Sequence, residues 1–417
     1  MMPLDVSGNP ALSRARRAIA SALGGLPRQF WFLWVGVLVN RLGTFVFPLL
    51  AMYLTQRRGF SDRQVGLTLA LYGVGGALGS QGGGVIADRL GRRGAMLLGL
   101  CSGAIAMLAL GFASTPALVV VCTFALGLVN DSHRPAMQAM VADLVPPEDR
   151  GRAYGLIYWV LNLAFSVAVT LAGYLAKVSY LLLFVCDAIG TLAYASLVFV
   201  FLRETRPESA SERPKLGALL MPLRDGAFLA FWILTVVTAS VFMQCMVTLP
   251  LAMKHDGLSP AAFGRSLAVN GVLIVFVQPW AAPLLARVHR SAVLACGAAL
   301  IGVGFGLTAF AHSPQAYALT VAVWSLGEIA VLPISSAVVA DLAPPALRGT
   351  YQGAYNLAWA FSWIFGPIAG TEVLARLGAG FWGVCLAVSL MVSAGHLVLL
   401  RRAARSRTGP SSSPELL

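Results

Sequence analysis

Polar residues in this sequence come in short clusters, and apolar stretches of 18 or more residues run between them. A stretch of that length with almost no charge has the reach of a helix crossing the hydrocarbon core of a bilayer. Only 11% of residues are charged and 58% are hydrophobic, with a mean hydropathy of +0.77. A soluble domain keeps about a quarter of its residues charged, so this chain cannot cover a water-facing surface. The expectation is an all-α membrane protein with twelve transmembrane helices. They fall at about 30–54, 65–87, 95–114, 117–142, 152–176, 180–202, 227–252, 262–286, 292–311, 315–340, 350–375 and 379–400. The domain plan is a tail over 1–29, a six-helix bundle over 30–202, a linker over 203–226, a second bundle over 227–400 and a disordered tail over 401–417.

Charge placement sets an orientation. If the N-terminus is inside, inner tails and loops hold 21 of the 30 Lys and Arg residues, outer loops hold seven, and two lie within spans. That bias predicts both termini on the cytoplasmic side. The basic start leads straight into a full-length span, so no cleavable signal is expected. The net charge of +13 follows from topology and attraction to anionic lipid, and nucleic acid is not needed to explain it. All six cysteines fall inside apolar spans, with no C-x-x-C spacing. They read as small core hydrophobes, with no disulfide or metal role.

Sliding the sequence against itself exposes a duplication at an offset of 198. Val141-Ala-Asp-Leu-Val-Pro-Pro-Glu-Asp-Arg-Gly151 meets Val339-Ala-Asp-Leu-Ala-Pro-Pro-Ala-Leu-Arg-Gly349, with eight of eleven positions identical. In the same register Gly66 meets Gly264, Gly73 meets Gly271, Pro135 meets Pro333 and Arg92 meets Arg290. Six helices is an even number, so both copies insert the same way round, as a parallel repeat. Two such bundles leave a cavity between them and can rock against each other, which is the plan of an alternating-access carrier.

After the second span comes Gly83-Gly-Val-Ile-Ala-Asp-Arg-Leu-Gly-Arg-Arg93. This run resembles the signature loop of the major facilitator superfamily, and twelve spans in two halves with a long central loop agree with it. The run from Arg134 to Asp143, followed by Pro-Pro-x-x-Arg-Gly, looks most like the bacterial multidrug-efflux, drug:proton antiporter branch. The resemblance implies a conformational latch of Asp88, Arg89, Arg92 and Arg93 with Asp143 as a nearby acid. At Ala286 the second copy lacks a match to Asp88, so the latch is expected mainly in the first half. The Gly-Pro pair that such antiporters usually carry in the fifth span appears here in the eleventh, as Gly366-Pro367.

Four ionisable residues fall deep inside spans: Arg41, Asp131, Arg134 and Glu328. Each costs about 2.5–3.5 kcal/mol to insert unless it has a partner or a cavity. The resemblance puts their helices, the first, fourth and tenth, around the central cavity. Two acids facing two arginines is the simplest neutral arrangement. Glu328 and Asp131 are the proton-coupling candidates, with Arg41 and Arg134 as charge partners; a permanent salt-bridge set is the competing reading. Glu328 ranks first because Asp131 already has Arg134 three residues on, on the same helical face. Asp187 reads as a structural cap. His133 and His396 read as hydrogen-bonded packing residues. Asn40, Tyr53, Gln138, Gln244, Trp324 and Ser325 are the substrate-cavity candidates.

The sequence holds no nucleophile–base arrangement, metal-ligand spacing or phosphate-binding loop, so no enzyme and no cofactor is expected. The reading is a proton-coupled secondary transporter, a monomer in a bacterial inner membrane, exporting hydrophobic or amphipathic small molecules. A carrier for one metabolite (organic anion, peptide, siderophore or lipid) is the runner-up, and a membrane scaffold comes last.

Overall fold

The computed structural model describes residues 25–146, 149–205, 221–285, 287–344 and 347–407. The start of the N-terminal tail, most of the linker and residues 408–417 therefore lie outside the described residues. Every regular element described is helical. In chain order these are α1 (Arg28–Leu42), α2 (Val46–Met52), α3 (Asp62–Phe112), α4 (Pro116–Asn130), α5 (Arg134–Leu144), α6 (Arg150–Val178) and α7 (Tyr180–Phe201). The second half contributes α8 (Gly226–Phe242), α9 (Thr248–His255), α10 (Pro260–Leu285), α11 (Arg290–Leu307), α12 (Pro314–Leu342), α13 (Arg348–Leu377) and α14 (Gly380–Arg407).

Among the described residues eleven helical segments are long and apolar enough to cross a membrane. The expected second span is the one missing from that set. It is nevertheless helical: α3 is two helices merged across a kink at Gly91, where φ is 85°. Its first arm, residues 62–90, is diluted by glycine rather than by charge. Those glycines let α3 lie against α4 with backbone touching backbone. A Cβ at Gly79 or Gly127 would collide with the carbonyl of Leu128 or Tyr72, the small-residue approach that packs helices where no water drives them together. The outward surface carries large apolar side chains, among them Phe112, Val178, Phe276, Trp280 and Phe310. Only lipid can cover so much exposed hydrocarbon.

The two sequence halves meet along two seams, α3 against α13 and α6 against α10. Both use the repeated glycines. Gly73 leaves room for the backbone of Trp363 and Ile364, and its counterpart Gly271 for the Asn162 carbonyl and the Ser166 side chain. Gly66 sits on Pro367 and Thr371, and its counterpart Gly264 on Val169. Pro367 lies within α13; having no N–H, it leaves the carbonyl of Trp363 four residues back without a helical donor. Gly73 abuts that carbonyl.

Helix α1 starts at what we call the near end, and the 53–62 and 255–260 turns mark the far end. The glycine seams lie in the far half. The His255–Asp62 contact at 3.1 Å, the ion pair Arg63–Glu372 at 3.7 Å and the hydrogen bond Arg265 to Tyr174 at 3.0 Å also join the halves there. A ring cluster underlies them: Phe47 and Tyr72 of the first half pack on Trp363 of the second, with centroids 5.1 and 6.5 Å away. The far end is closed.

Replacing Gly73 or Gly271 by Val puts branched carbon into a backbone contact and should prevent this closure. Disulfide formation between Asp62→Cys and His255→Cys, in a background lacking the native cysteines, should fall several-fold in either variant.

Candidate functional site

Three helices break at mid-depth, and polar residues cluster at the breaks. The first span bends over Gly43, Thr44 and Phe45 between α1 and α2. At that bend Asp187 of α7 accepts the Val46 N–H at 3.4 Å, so the buried acid caps α2 as expected. The seventh span loosens into a 3-10 turn over Met243–Cys245. The fourth breaks at Asp131, Ser132 and His133, just before Pro135. In the second copy Pro333 lies within an unbroken α12, so the repeat is not conserved in shape at this level. Irregular backbone at membrane depth is tolerated where it lines a cavity or is buried in protein.

Arg41 stands just before the first break and Asp131 in the fourth. Asp131 accepts from Arg41 at 3.5 Å and pairs with Arg134 at 3.4 Å. The side chains are 18% exposed for Arg41, 35% for Asp131 and 43% for Arg134. This triad carries a net charge of +1 and is part-exposed. Neighbouring Asn130 donates to the Tyr72 hydroxyl at 3.2 Å, which ties the triad to the ring cluster beyond it.

Glu328 does not join this set, and the expected square of two acids and two arginines is corrected. Its carboxylate accepts from Asn270 of α10 at 2.5 Å, and the same amide donates to Ser325 at 3.0 Å. All three residues are buried. Among the described residues Glu328 has no cation within ion-pair distance. It lines a narrow cleft of about 370 Å³, counted to its mouth, together with Thr238, Phe242, Tyr355, Trp359 and His396. The alignment put Glu328 level with Asn130 but said nothing about which way either points. Asn270 was missed because a lone Asn on an apolar span carries no signal until its partner is known.

The substrate-cavity candidates divide. Ser325 belongs to the Glu328 cluster. Asn40 is buried and donates to Thr191 at 3.0 Å. Gln244 is a clasp, donating to the Gly366 carbonyl at 3.0 Å. Tyr53 is buried at the far end, where its hydroxyl accepts from Arg58 at 2.6 Å. Trp324 is fully buried and stacks on Phe305 at 5.7 Å. Gln138 is exposed, and its backbone carbonyl accepts from Tyr154 at 2.9 Å. His133 and His396 are buried packing residues whose Nδ1 atoms have no partner among the described residues. Cys101 and Cys296 are exposed rather than in the core, and all six cysteines are free.

At the near end Arg92 pairs with Asp143 at 3.4 Å. Arg93 donates to the Phe199 carbonyl at 2.6 Å and covers the Phe199 ring. Arg89 is exposed, and the side chain of Asp88 lies outside the described residues. Glu204, just after α7, was not expected here. It accepts the backbone N–H groups of Arg92 and Arg93 at 2.7 and 3.1 Å. It thereby caps the helix that restarts after Gly91, and Gly91 leaves the space that Glu204 fills. Thr205 donates to Asp143 at 3.1 Å. The second copy keeps one contact of this network, because Arg290 pairs with Asp341. These are the repeat partners of Arg92 and Asp143.

A family model described as Major Facilitator Superfamily matches residues 33–367 and 245–415. The chain belongs to that superfamily. An uncharacterised MFS-type transporter, YttB of Bacillus subtilis strain 168, is 25% identical over 396 residues, covering 91% of this chain and 97% of the relative. A Na(+), Li(+), K(+)/H(+) antiporter of Planococcus maritimus is 26% identical, covering 85% and 91%. Multidrug resistance protein MdtH of Aeromonas hydrophila is 25% identical, covering 82% and 86%. Among solved structures, a POT family transporter in complex with 5-aminolevulinic acid superposes with a TM-score of 0.77 at 15% identity, covering 92% of this chain and 97% of that one. The nucleoside transporter NupG gives 0.78 at 14%, covering 89% and 100%. These two solved structures share the fold of this chain.

Glu204→Ala should strip two amides at a helix start of their charged acceptor, costing about 1 kcal/mol. A lower thermal midpoint in detergent, partly restored by Glu204→Asp or Glu204→Gln, is the expected result.

Proposed function

We propose that this chain is a secondary transporter working by alternating access, with twelve spans in two pseudo-symmetric six-helix bundles over 30–202 and 227–400. In this reading it is a monomer of a bacterial inner membrane with both termini cytoplasmic, and it couples proton entry to efflux of hydrophobic or amphipathic small molecules. Residues 203–226 link the bundles. Far-end closure then corresponds to a state open toward the cytoplasm.

One observation carries the coupling: Glu328 sits buried in an apolar cleft with a neutral amide as its hydrogen-bond donor. An ionised carboxylate at membrane depth costs several kcal/mol without a cation. Either a proton or a cationic group of a substrate removes that cost, and the two cannot do so together. Competition for one carboxylate is the elementary requirement of antiport. Asp131 is the weaker candidate because two arginines already offset its charge. Its neutralisation would instead release Arg41 and Arg134. The relatives named as an antiporter and as a multidrug resistance protein support the same reading.

The half-exposed Arg134 favours a second reading, in which the net-positive triad holds the anionic group of one specific metabolite. Arg134→Lys separates the two. A bidentate clamp fails with Lys, so a metabolite carrier loses substrate binding while a proton-coupled exporter keeps its pH response.

In proteoliposomes with an imposed pH gradient, Glu328→Gln should lose uphill transport by at least about ten-fold and become insensitive to pH, while Asp131→Asn keeps a pH response. Uphill transport by Glu328→Gln with the wild-type pH profile would overturn the assignment.

A further inference from the structure

The far end carries only seven of the thirty basic residues, and the structure gathers three of them around one pocket. Arg57, Arg58 and Lys177 line a pocket of about 1060 Å³, counted to its mouth, between the end of the first span and the turn from α6 to α7. No acid lines it. The far-end acids are engaged elsewhere: Asp62 with His255, Asp256 with Tyr317 and His312, and Glu372 with Arg63 and Arg376. The other far-end arginines are bound too, Arg63 and Arg376 to Glu372 and Arg265 to Tyr174. Arg57, Arg58 and Lys177 have no carboxylate within ion-pair distance among the described residues.

The pocket is also built. Residues Tyr53–Arg57 form a π-turn, a widened turn found often at functional sites. It is followed by Arg58, whose Nε donates to the Tyr53 hydroxyl at 2.6 Å and whose guanidinium lies 5.2 Å from the ring centre. That contact fixes Arg58 and leaves its Nη donors without a hydrogen bond among the described residues. Gln56 accepts from Tyr180 at 2.8 Å, tying the π-turn to the opposite wall. The first turn of the 22-residue α7 closes the pocket at Leu181, adding the positive end of a helix dipole to the three cations. Beside them the wall is apolar: Val178 is 77% exposed, Leu181 39%, and Phe112 nearby 67%. Cations next to exposed hydrocarbon match an anionic head on an acyl chain.

We propose that this pocket binds a phosphate-bearing anion, the headgroup of an anionic phospholipid in the leaflet at the far end. The guanidinium of Arg58 meets the phosphate, Arg57 and Lys177 add charge, and the acyl chains descend over Val178, Leu181 and Phe112. This site is separate from Glu328 and the triad, and holds whatever ion drives transport.

The test titrates the detergent-purified full chain with phosphatidylglycerol and counts bound copies by native mass spectrometry, with phosphatidylcholine and inorganic phosphate as the other arms. Wild type should retain one tightly held phosphatidylglycerol and no phosphatidylcholine. At about 1 kcal/mol per cation, Lys177→Gln should weaken it about five-fold and the triple variant Arg57→Gln/Arg58→Gln/Lys177→Gln about a hundred-fold. Lys177 is exposed, so its variant reads out the site even if the triple variant folds poorly. Millimolar inorganic phosphate that displaces the lipid would confirm the anion site and assign it to the phosphate group alone. Equal retention of phosphatidylcholine, or unchanged affinity in Lys177→Gln, would overturn the proposal.

Discussion

Backbone-to-backbone contact across the two seams is the constraint on which the rest of this structure depends. Hydrocarbon offers helices no hydrophobic drive to associate, so the halves must hold together by close packing. Four glycines repeated in register, Gly66 with Gly264 and Gly73 with Gly271, give that approach on both sides. Because they all lie in the far half, they close one end and leave the charged triad accessible. A Cβ at these positions would alter which end is shut while leaving either half intact.

Much of this was legible in the sequence. Apolar runs gave the helices, and the 198-residue offset picked out the seam glycines before their partners were known. The charges were located, but their grouping was not. Asp131 was tied to Arg134 by helical spacing, and the structure keeps that pair while adding Arg41. Glu328 left the expected cluster because a level in the membrane says nothing about azimuth around a helix, and Asn270 claims it from the side. The second span fell short on hydropathy for the reason it packs well: glycine lowers the average and permits the approach.

The near-end network shows the converse limit. Arg92 and Asp143 are readable as a pair from the family's loop, yet Glu204 is not, since it lies 112 residues away and acts on backbone amides. No side-chain code marks an amide-capping residue from so far along the chain. The second copy lacks a counterpart of Asp88, yet Arg290 and Asp341 preserve the contact made by Arg92 and Asp143. The halves also differ in the middle of the membrane. There the fourth span breaks at Asp131 while α12 runs straight through Pro333.

The ring cluster of Phe47, Tyr72 and Trp363 has an electrical consequence. It lies between the two halves and is tied to the part-exposed triad through Asn130 and Tyr72. Wherever water reaches the near side of that layer, the membrane voltage is concentrated over the rings and seams that stay dry. A charge moved across that layer feels nearly the whole potential, about 2.3 kcal/mol for each 100 mV. A displacement of an ångström or two within that layer feels only the matching fraction of that potential.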